Sequence, residues 1–258
     1  MNYQPYLDFV TDLAYRAGRI TLGYYQTGLR PEFKPDDTPV TAADRAAEEF
    51  LRGEIGRKYP GHAVVGEEFG ESAGQGESFR WILDPIDGTK SFLRGVPLYG
   101  VLIGLEIEGQ VHVGAACFPA LDEMLCAADG LGCWWNGRRA QVSSVDRLDR
   151  AWLCYTNIRN MKKNGKGNAW QVLTEQAYAT RGWSDAYGYL LVATGRAEAM
   201  FDPVMHIWDC GPFPPIFREA GGYFGDWHGQ PGHTHGEALA CNQALLPELL
   251  RSIEENPD

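Results

Sequence analysis

Apolar residues at Leu7, Val10, Leu13, Ala14, Ala17, Ile20 and Leu22 recur at helical spacing and predict an opening helix over 4–27. Three prolines in "TGLRPEFKPDDTP" break that period and predict a loop able to carry function. "TAADRAAEEFLRGEIGRKY" restores the period as a second helix, with Thr41 as N-cap and Asp44 at the third helical position. "HAVVGEEFGESAGQGES" reads as a short strand followed by a polar, Gly-rich loop, and "FRWILD" as the next strand. From Leu98 the period changes to two. Val101, Ile103, Leu105 and Ile107 alternate, the chain turns at Glu108–Gly109, and Val111, Val113, Ala115 and Cys117 resume, which is a hairpin signal. "EMLCAA" and "GCWWNGRRAQV" extend the meander. A strand over 151–155, helices over 169–179, 185–195, 210–220 and 243–255, and the segment "EALACN" complete the pattern. No internal repeat, low-complexity tract or linker interrupts it. Helices first, a meander in the middle and mixed elements last predict a layered α+β chain with two lobes sharing one interface, 1–140 and 141–258.

Composition narrows the class. At 258 residues, 44% hydrophobic and 22% charged, with eight Trp, the chain has the make-up of a globular protein with a substantial core. No run approaches the ~18 apolar residues a membrane span needs. Asp8 and Asp12 interrupt the N-terminal pattern, so it is a poor secretory signal and a cytoplasmic location is expected. The six Cys (117, 126, 133, 154, 210, 241) form no C-x-x-C pair and mostly sit in apolar runs, as reduced buried thiols do. A net charge of −11 and a pI of about 5.0 argue against a nucleic-acid partner. Bound cations would still let such a chain take an anionic substrate.

The candidate chemistry centres on "WILDPIDGTKSF" (81–92). Pro85 cannot continue a ladder, so the strand is expected to stop at Asp84, with Asp87 following in a turn. Gly88 and Thr89 open a short helix, "GTKSFL", whose free N–H groups suit an anion. Two carboxylates held close cost free energy unless positive charge lies between them. Oxygen ligands without a nearby His or Cys point to Mg²⁺, with Mn²⁺ or Ca²⁺ also fitting. Glu67 and Glu68 in "VVGEEFG" and Asp209 in "IWDCG" offer further ligands. Each acid taken alone also fits an exposed turn or a helix cap.

These segments together resemble the inositol monophosphatase superfamily of metal-dependent, lithium-sensitive phosphatases. The likeness runs through "PVTAAD" (39–44), "GEE" (66–68), "WILDPIDGTKSF", "GCWWNG" (132–137), "LVATGRAEAMFD" (191–202) and "WDCGPFPPIFREAGG" (208–222). It implies a layered αβαβα sandwich, usually dimeric, that hydrolyses a small phosphate monoester. Within the superfamily the chain looks most like the histidinol-phosphatase branch, carried by "RPEFKPDDTPVTAADRAAEEFLR", "VVGEEFGE" and "DAYGYLLVATGRAEAMFDPVMHIWD". Inositol monophosphatases typically have a Gly-Ser/Thr-Ala-Ala segment where this chain has "DAYGY" (185–189), and commonly Glu at the position of Asp202.

By the resemblance, Glu67, Asp84 and the carbonyl of Ile86 hold a first metal, and Asp84, Asp87 and Asp209 a second, with Glu67 able to reach a third. Two or three Mg²⁺ ions per site are implied, or Mn²⁺ in their place. Thr89 and Asp44 match the pair that orients and helps deprotonate the attacking water; Asp44 also fits a first-turn helix acid. Phosphate oxygens are expected on the N–H groups of Gly88 and Thr89. Lys34 fits a residue that closes the site, or a solvated side chain. Asp185 and Asp202 are the candidates for recognising a cationic amino alcohol or imidazole, and Tyr187 or Tyr189 for packing on a ring. Arg196 reads as a solvated helix end or a partner contact. "HTH" (233–235) reads as plain surface, "KKNGKG" (162–167) as a solvated turn and "CWW" (133–135) as core or subunit interface. Pro212, Pro214 and Pro215 predict a late or distorted start to the helix after Asp209. The expected activity is therefore hydrolysis of histidinol phosphate by a homodimer. An inositol or other sugar-phosphate phosphatase is the alternative, and a catalytically silent metabolite-binding relative the reading from a different class.

Overall fold

The computed structural model describes residues 1–35, 39–75 and 78–258; positions 36–38 of the Pro-rich loop and 76–77 of the Gly-rich loop lie outside the described residues. Helix α1 (Gln4–Tyr24) opens with Pro5 in its first turn, where a missing N–H removes no helical bond. β1 (Glu32–Phe33) and β2 (Pro39–Val40) pair as a short ribbon. α2 (Ala42–Lys58) follows, capped reciprocally: the Thr41 hydroxyl accepts from the N–H of Ala43, and the Asp44 carboxylate accepts from the N–H of Thr41. Next come β3 (Ala63–Gly66), β4 (Gly70–Ser72), β5 (Phe79–Asp87) and the single turn α3 (Thr89–Leu93). The meander is β6 (Gly100–Ile107), β7 (Gln110–Phe118), β8 (Glu123–Ala128), β9 (Gly132–Trp135) and β10 (Arg138–Arg139). The remainder is β11 (Trp152–Tyr155), α4 (Ile158–Lys163), α5 (Gly167–Gln176), β12 (Ala179–Arg181), α6 (Ala186–Ala193) and β13 (Ala199–Asp202). It ends with α7 (Ile207–Cys210), α8 (Phe213–Ala220), β14 (Gly222–Gly225), β15 (Ala238–Asn242) and α9 (Leu246–Glu254).

The first set of strands forms an eight-stranded sheet, β10-β9-β8-β7-β6-β5-β3-β4, and the second a five-stranded sheet, β12-β11-β13-β15-β14. Alternation along β6 sorts the layers. Val101, Ile103 and Leu105 face α1 and α2, while Leu102 faces the helices on the other side. Helices α6 and α8 fill the space between the sheets, with Tyr189, Phe213 and Phe217 packed against Phe118 of one and Phe224 of the other. α5 and α9 cover the far face of the second sheet through Trp170, Leu173 and Leu249. The order is helix, sheet, helix, sheet, helix, as the resemblance implies. All six Cys are unpaired and buried. Among the described residues no helix is long and apolar enough to cross a membrane.

The helix expected over 210–220 starts late, at Phe213, as Pro212, Pro214 and Pro215 predict, and a separate turn precedes it. α7 stops at Cys210 and α8 starts at Phe213, with Pro212 between them, because a proline inside one helix would remove a backbone bond and clash with the preceding turn. The junction presses onto the sheet where β6 and β7 place two glycines opposite each other, Gly104 and Gly114. A Cβ on Gly104 would land on the carbonyl of Gly211, and one on Gly114 on the carbonyl of Pro212. That backbone-to-backbone approach fixes the segment carrying Asp209.

The same face of β6 carries a second surprise. His233, read as surface, is buried, and its Nε2 lies 2.9 Å from Oε2 of Glu106. Arg80 grips the same carboxylate through Nε and an Nη at 2.9 and 2.8 Å. Burial opposes the charge on Glu106, yet these hydrogen bonds and the Arg80 charge bring it down to about 2. A depressed carboxylate contributes stability above the ordinary glutamate range that fades as pH falls through that range toward 2. Glu106→Gln is therefore expected to cost about 2 kcal/mol in urea unfolding at pH 7, with the difference from wild type shrinking between about pH 4.5 and 2. An equal deficit at both ends of that window would exclude the ion pair as its source.

Candidate active site

β5 answers why Asp84 and Asp87 aim at one point. The strand does not end at Pro85, as the sequence predicted. Asp84 pairs with Leu102 and Asp87 with Gly100, so three steps on β5 match two on β6. In a regular strand residues three apart point to opposite faces; the bulge inserts one extra residue and returns Asp87 to the side of Asp84. Pro85 sits in the bulge, where its missing N–H breaks no ladder. The Asp84 carboxylate accepts from the N–H of Ile86 at 3.0 Å, and Gly88 then turns the chain with φ of +82° into α3.

Asp209 joins them from α7. Its carboxylate accepts from the N–H of His206 at 2.7 Å, so the first turn of the helix orients it. Carboxylate oxygens of Asp84, Asp87 and Asp209 lie within 4.8 Å of one another. Asp87 also accepts from the N–H of Ala186 at 2.5 Å, tying the bulge to the first residue of α6. Glu67, in the turn after β3, lines the same cavity without joining this tight trio. Lys34 holds it, with Nζ 2.8 Å from Glu67 and 2.9 Å from Glu68.

Burial and mutual repulsion show in the titration of these acids. Asp84 is pushed far up by burial and by the charges of Glu67, Asp87 and Asp209. Asp87 is pushed far up by burial and by Asp185 and Asp209. Asp209 is raised to about 6, first by burial. Glu68 rises to about 7 through burial, and Lys34, although burial opposes its charge, is held protonated by the two glutamates. Clustered buried carboxylates of this kind fit hard divalent cations: the donors are all oxygen, and the charge they lack is positive. Ile86 lines the same cavity.

Beside the trio, Thr89 Oγ1 lies 3.1 Å from the Ile86 carbonyl and 3.4 Å from Asp44 Oδ1. The other Asp44 oxygen is occupied by Thr41, whose N–H and hydroxyl donate at 2.8 and 2.5 Å. Asp44 is thus both helix acid and partner of Thr89, and burial raises it to about 6. Asp185 closes the opposite wall. It takes φ of +56°, a strained value for a residue with a Cβ, and its Oδ2 lies 3.3 and 3.4 Å from the hydroxyls of Ser184 and Ser91. Gly88 lies under it, and a Cβ there would sit 3.0 Å from that same oxygen.

Asp202 is one layer further back. Its carboxylate accepts from the Thr156 hydroxyl and, at 3.3 Å, from the N–H of Val204, and burial raises it to about 7. It lines an adjoining cavity of about 90 Å³ with Asp87, Asp185, Tyr189 and Asp209. Neither tyrosine faces the main cavity: Tyr189 stacks on Phe213 in the core, and Tyr187 donates to Glu123 at 3.0 Å. Arg196 is exposed just past the end of α6, where it bonds Glu123 and lies over the Trp135 ring. The main cavity is about 280 Å³ and also takes Lys90, Thr156, Asn157 and Asn160, which the sequence reading missed. Their one sequence signal is position: Thr156 and Asn157 follow directly on the C-terminal end of a strand, where ligand-binding loops of open α/β sheets gather. A larger cavity of about 790 Å³, beside His233 and Arg218, holds none of these acids. Chemistry, not size, selects the site.

Known proteins are similar to this chain in sequence and in fold. The chain is 42% identical over 251 residues to a histidinol-phosphatase of Chlorobaculum parvum, covering 96% of each chain. It is 31% identical to an inositol-1-monophosphatase of Mesorhizobium japonicum, again over 96% of both. Its fold superposes on the extragenic suppressor protein suhB of Bartonella henselae with a TM-score of 0.91 at 28% identity, covering 98% of this chain and 99% of that one. The inositol monophosphatase family model spans residues 2–258, essentially the whole chain, and the chain belongs to that family.

Proposed function

We propose that the protein is a Mg²⁺-dependent, lithium-inhibited phosphatase acting on histidinol phosphate, as a homodimer in the cytoplasm. The observation that carries the chemistry is the convergence of Asp84, Asp87 and Asp209 beside the Thr89–Asp44 pair. Glu67, Asp84, the Ile86 carbonyl, Asp87 and Asp209 would hold two or three Mg²⁺ ions, and Mn²⁺ suits the same oxygens. Cations bound there supply the positive field that phosphate oxygens and an attacking water need.

The chain's own residues do the rest. Thr89 donates its hydroxyl proton toward Asp44 Oδ1, leaving its lone pairs to accept from a water and align it. As that water attacks phosphorus, its proton passes to Thr89 Oγ1 while the Thr89 proton passes to Asp44. Thr41 keeps the second Asp44 oxygen occupied, so Oδ1 is the one free to receive it. The N–H groups of Gly88 and Thr89 orient the phosphate. Asp185, held rigid by its strained backbone and two serines, meets the leaving group.

Substrate choice rests on that wall and on the relatives. Histidinol phosphate carries an ammonium and an imidazole, whereas inositol phosphate offers hydroxyls. A charge-assisted hydrogen bond from a buried carboxylate is worth about 1.5–3 kcal/mol, or about ten- to a hundredfold in rate. In a phosphate-release assay with Mg²⁺, kcat/KM is expected to be at least about tenfold higher for histidinol phosphate than for inositol 1-phosphate. Asp185→Asn should narrow that ratio more than Asp202→Asn, which acts from behind. A preference for inositol phosphate would assign the alternative substrate, a ratio indifferent to both substitutions would remove Asp185 and Asp202 from recognition, and either would leave the metal chemistry standing. Full activity in excess chelator would overturn the metal chemistry itself.

A further inference from the structure

Helix α2 does more than present Asp44. One turn further along the same face, Glu48 is fully buried. Its carboxylate accepts from the backbone N–H of Glu68 at 2.8 Å and of Phe69 at 3.2 Å, while Arg52 Nε donates at 2.8 Å from the rim. Those two N–H groups belong to the three-residue turn, 67–69, that joins β3 to β4 and displays Glu67. At the start of the turn, Glu67 donates its own N–H to the Leu83 carbonyl at 3.2 Å, so one end is pinned to β5 and the other to Glu48. The glycine of "GEE" has a matching cause. A Cβ on Gly66 would fall on the Glu48 carboxylate, which fills the inside of the turn where a side chain would otherwise lie.

From this geometry we infer that Glu48 is a positioning residue for the cation site: it sets the direction of the Glu67 carboxylate by clamping the backbone that carries it. The inference rests on the proposed metal chemistry and adds a residue that does not touch the metal. Glu48→Gln keeps the volume but replaces one accepting oxygen with an NH₂, which faces backbone donors and cannot bond both. Gly66→Ala attacks the same contact from the other side by driving the Glu48 carboxylate out of the turn.

The test is calorimetric titration with Mn²⁺ in the absence of substrate, alongside thermal unfolding of each variant in chelator. Both variants are expected to bind Mn²⁺ at least about tenfold more weakly than wild type, at a temperature where both are folded. The Mg²⁺ concentration for half-maximal phosphate release should rise by a similar factor, with kcat at saturating Mg²⁺ within about threefold of wild type. If Glu48→Gln fails to fold, Gly66→Ala decides. A variant that melts lower yet binds Mn²⁺ as wild type does would reduce Glu48 to a purely structural part and overturn the inference. Absence of Mn²⁺ binding by wild type would instead remove the metal chemistry on which it rests.

Discussion

Asp84→Asn is expected to lower turnover at saturating Mg²⁺ at least about a hundredfold while the protein stays folded. Asp84 stands at the centre of the acid cluster, buried, with Glu67, Asp87 and Asp209 all acting on its charge. Asparagine keeps its shape and can still accept from the N–H of Ile86, so β5 and its bulge have no reason to change. What it loses is a negative charge that cations are expected to share. The same substitution removes like-charge repulsion from the metal-free protein, so unfolding in chelator should occur at an equal or higher temperature than wild type. Steady-state phosphate release and a thermal melt check the two halves separately. A variant within tenfold of wild type would show that Asp84 is not a shared ligand, and a sharp drop in melting temperature would make the lost activity a folding defect.

Gly104→Ala and Gly114→Ala should each destabilise strongly and depress activity together. The new methyl group meets backbone, the Gly211 or Pro212 carbonyl, and backbone cannot rotate aside as a side chain can. Overpacking of this sort costs about 1–3 kcal/mol, and the strain can be relieved only by lifting the α7–α8 junction from the sheet. That movement carries Asp209 with it. A displacement of about 1 Å in a positioned group can cost about a hundredfold in rate, so a fall in kcat of at least about tenfold is expected in whatever fraction remains folded. Gly53→Ala, on the exposed face of α2 with nothing near its Cβ, serves as the control and should gain up to about 1 kcal/mol. Wild-type activity and melting temperature in both sheet variants would show that the junction does not bear on the glycine pair.

Much of the fold was legible because its signals are local. The first-helix stripe, the Thr41 cap with Asp44 and the alternation through β6 and β7 each lie within one element, and each appears where the periodicity puts it. The trio of acids was legible through the family resemblance of its motifs, since each acid alone also fits a turn or a helix cap. What stayed hidden depends on pairing. Nothing within "LDPID" says that β5 resumes after Pro85; the bulge exists because Asp87 finds Gly100 across the ladder. β12 and β14 are three and four residues long and carry no alternation of their own, so only their neighbours define them. His233 looked like loop surface because its partner, Glu106, is 127 positions away. The far wall of the cavity was missed for a related reason: Asn157 and Asn160 are ordinary loop and helix-start residues until the second sheet brings them opposite Thr89 and Asp185.

The strand order of the second sheet bears on how the molecule comes into being. β15, the last strand in the chain, lies inside that sheet between β13 and β14, and Asp202 pairs with Ala238 across it. The eight-stranded sheet, in contrast, has all its strands by Arg139. On a ribosome, where chains emerge N-terminus first, Glu67, Asp84 and Asp87 have a finished sheet to sit on before Asp209 itself is made. β13 gains its second neighbour only when residues 238–242 have emerged, and that long-range pairing is a late step in any case. Asp202, behind the cavity, is therefore fixed across its strand only after residues 238–242 have emerged, well after the first sheet is complete.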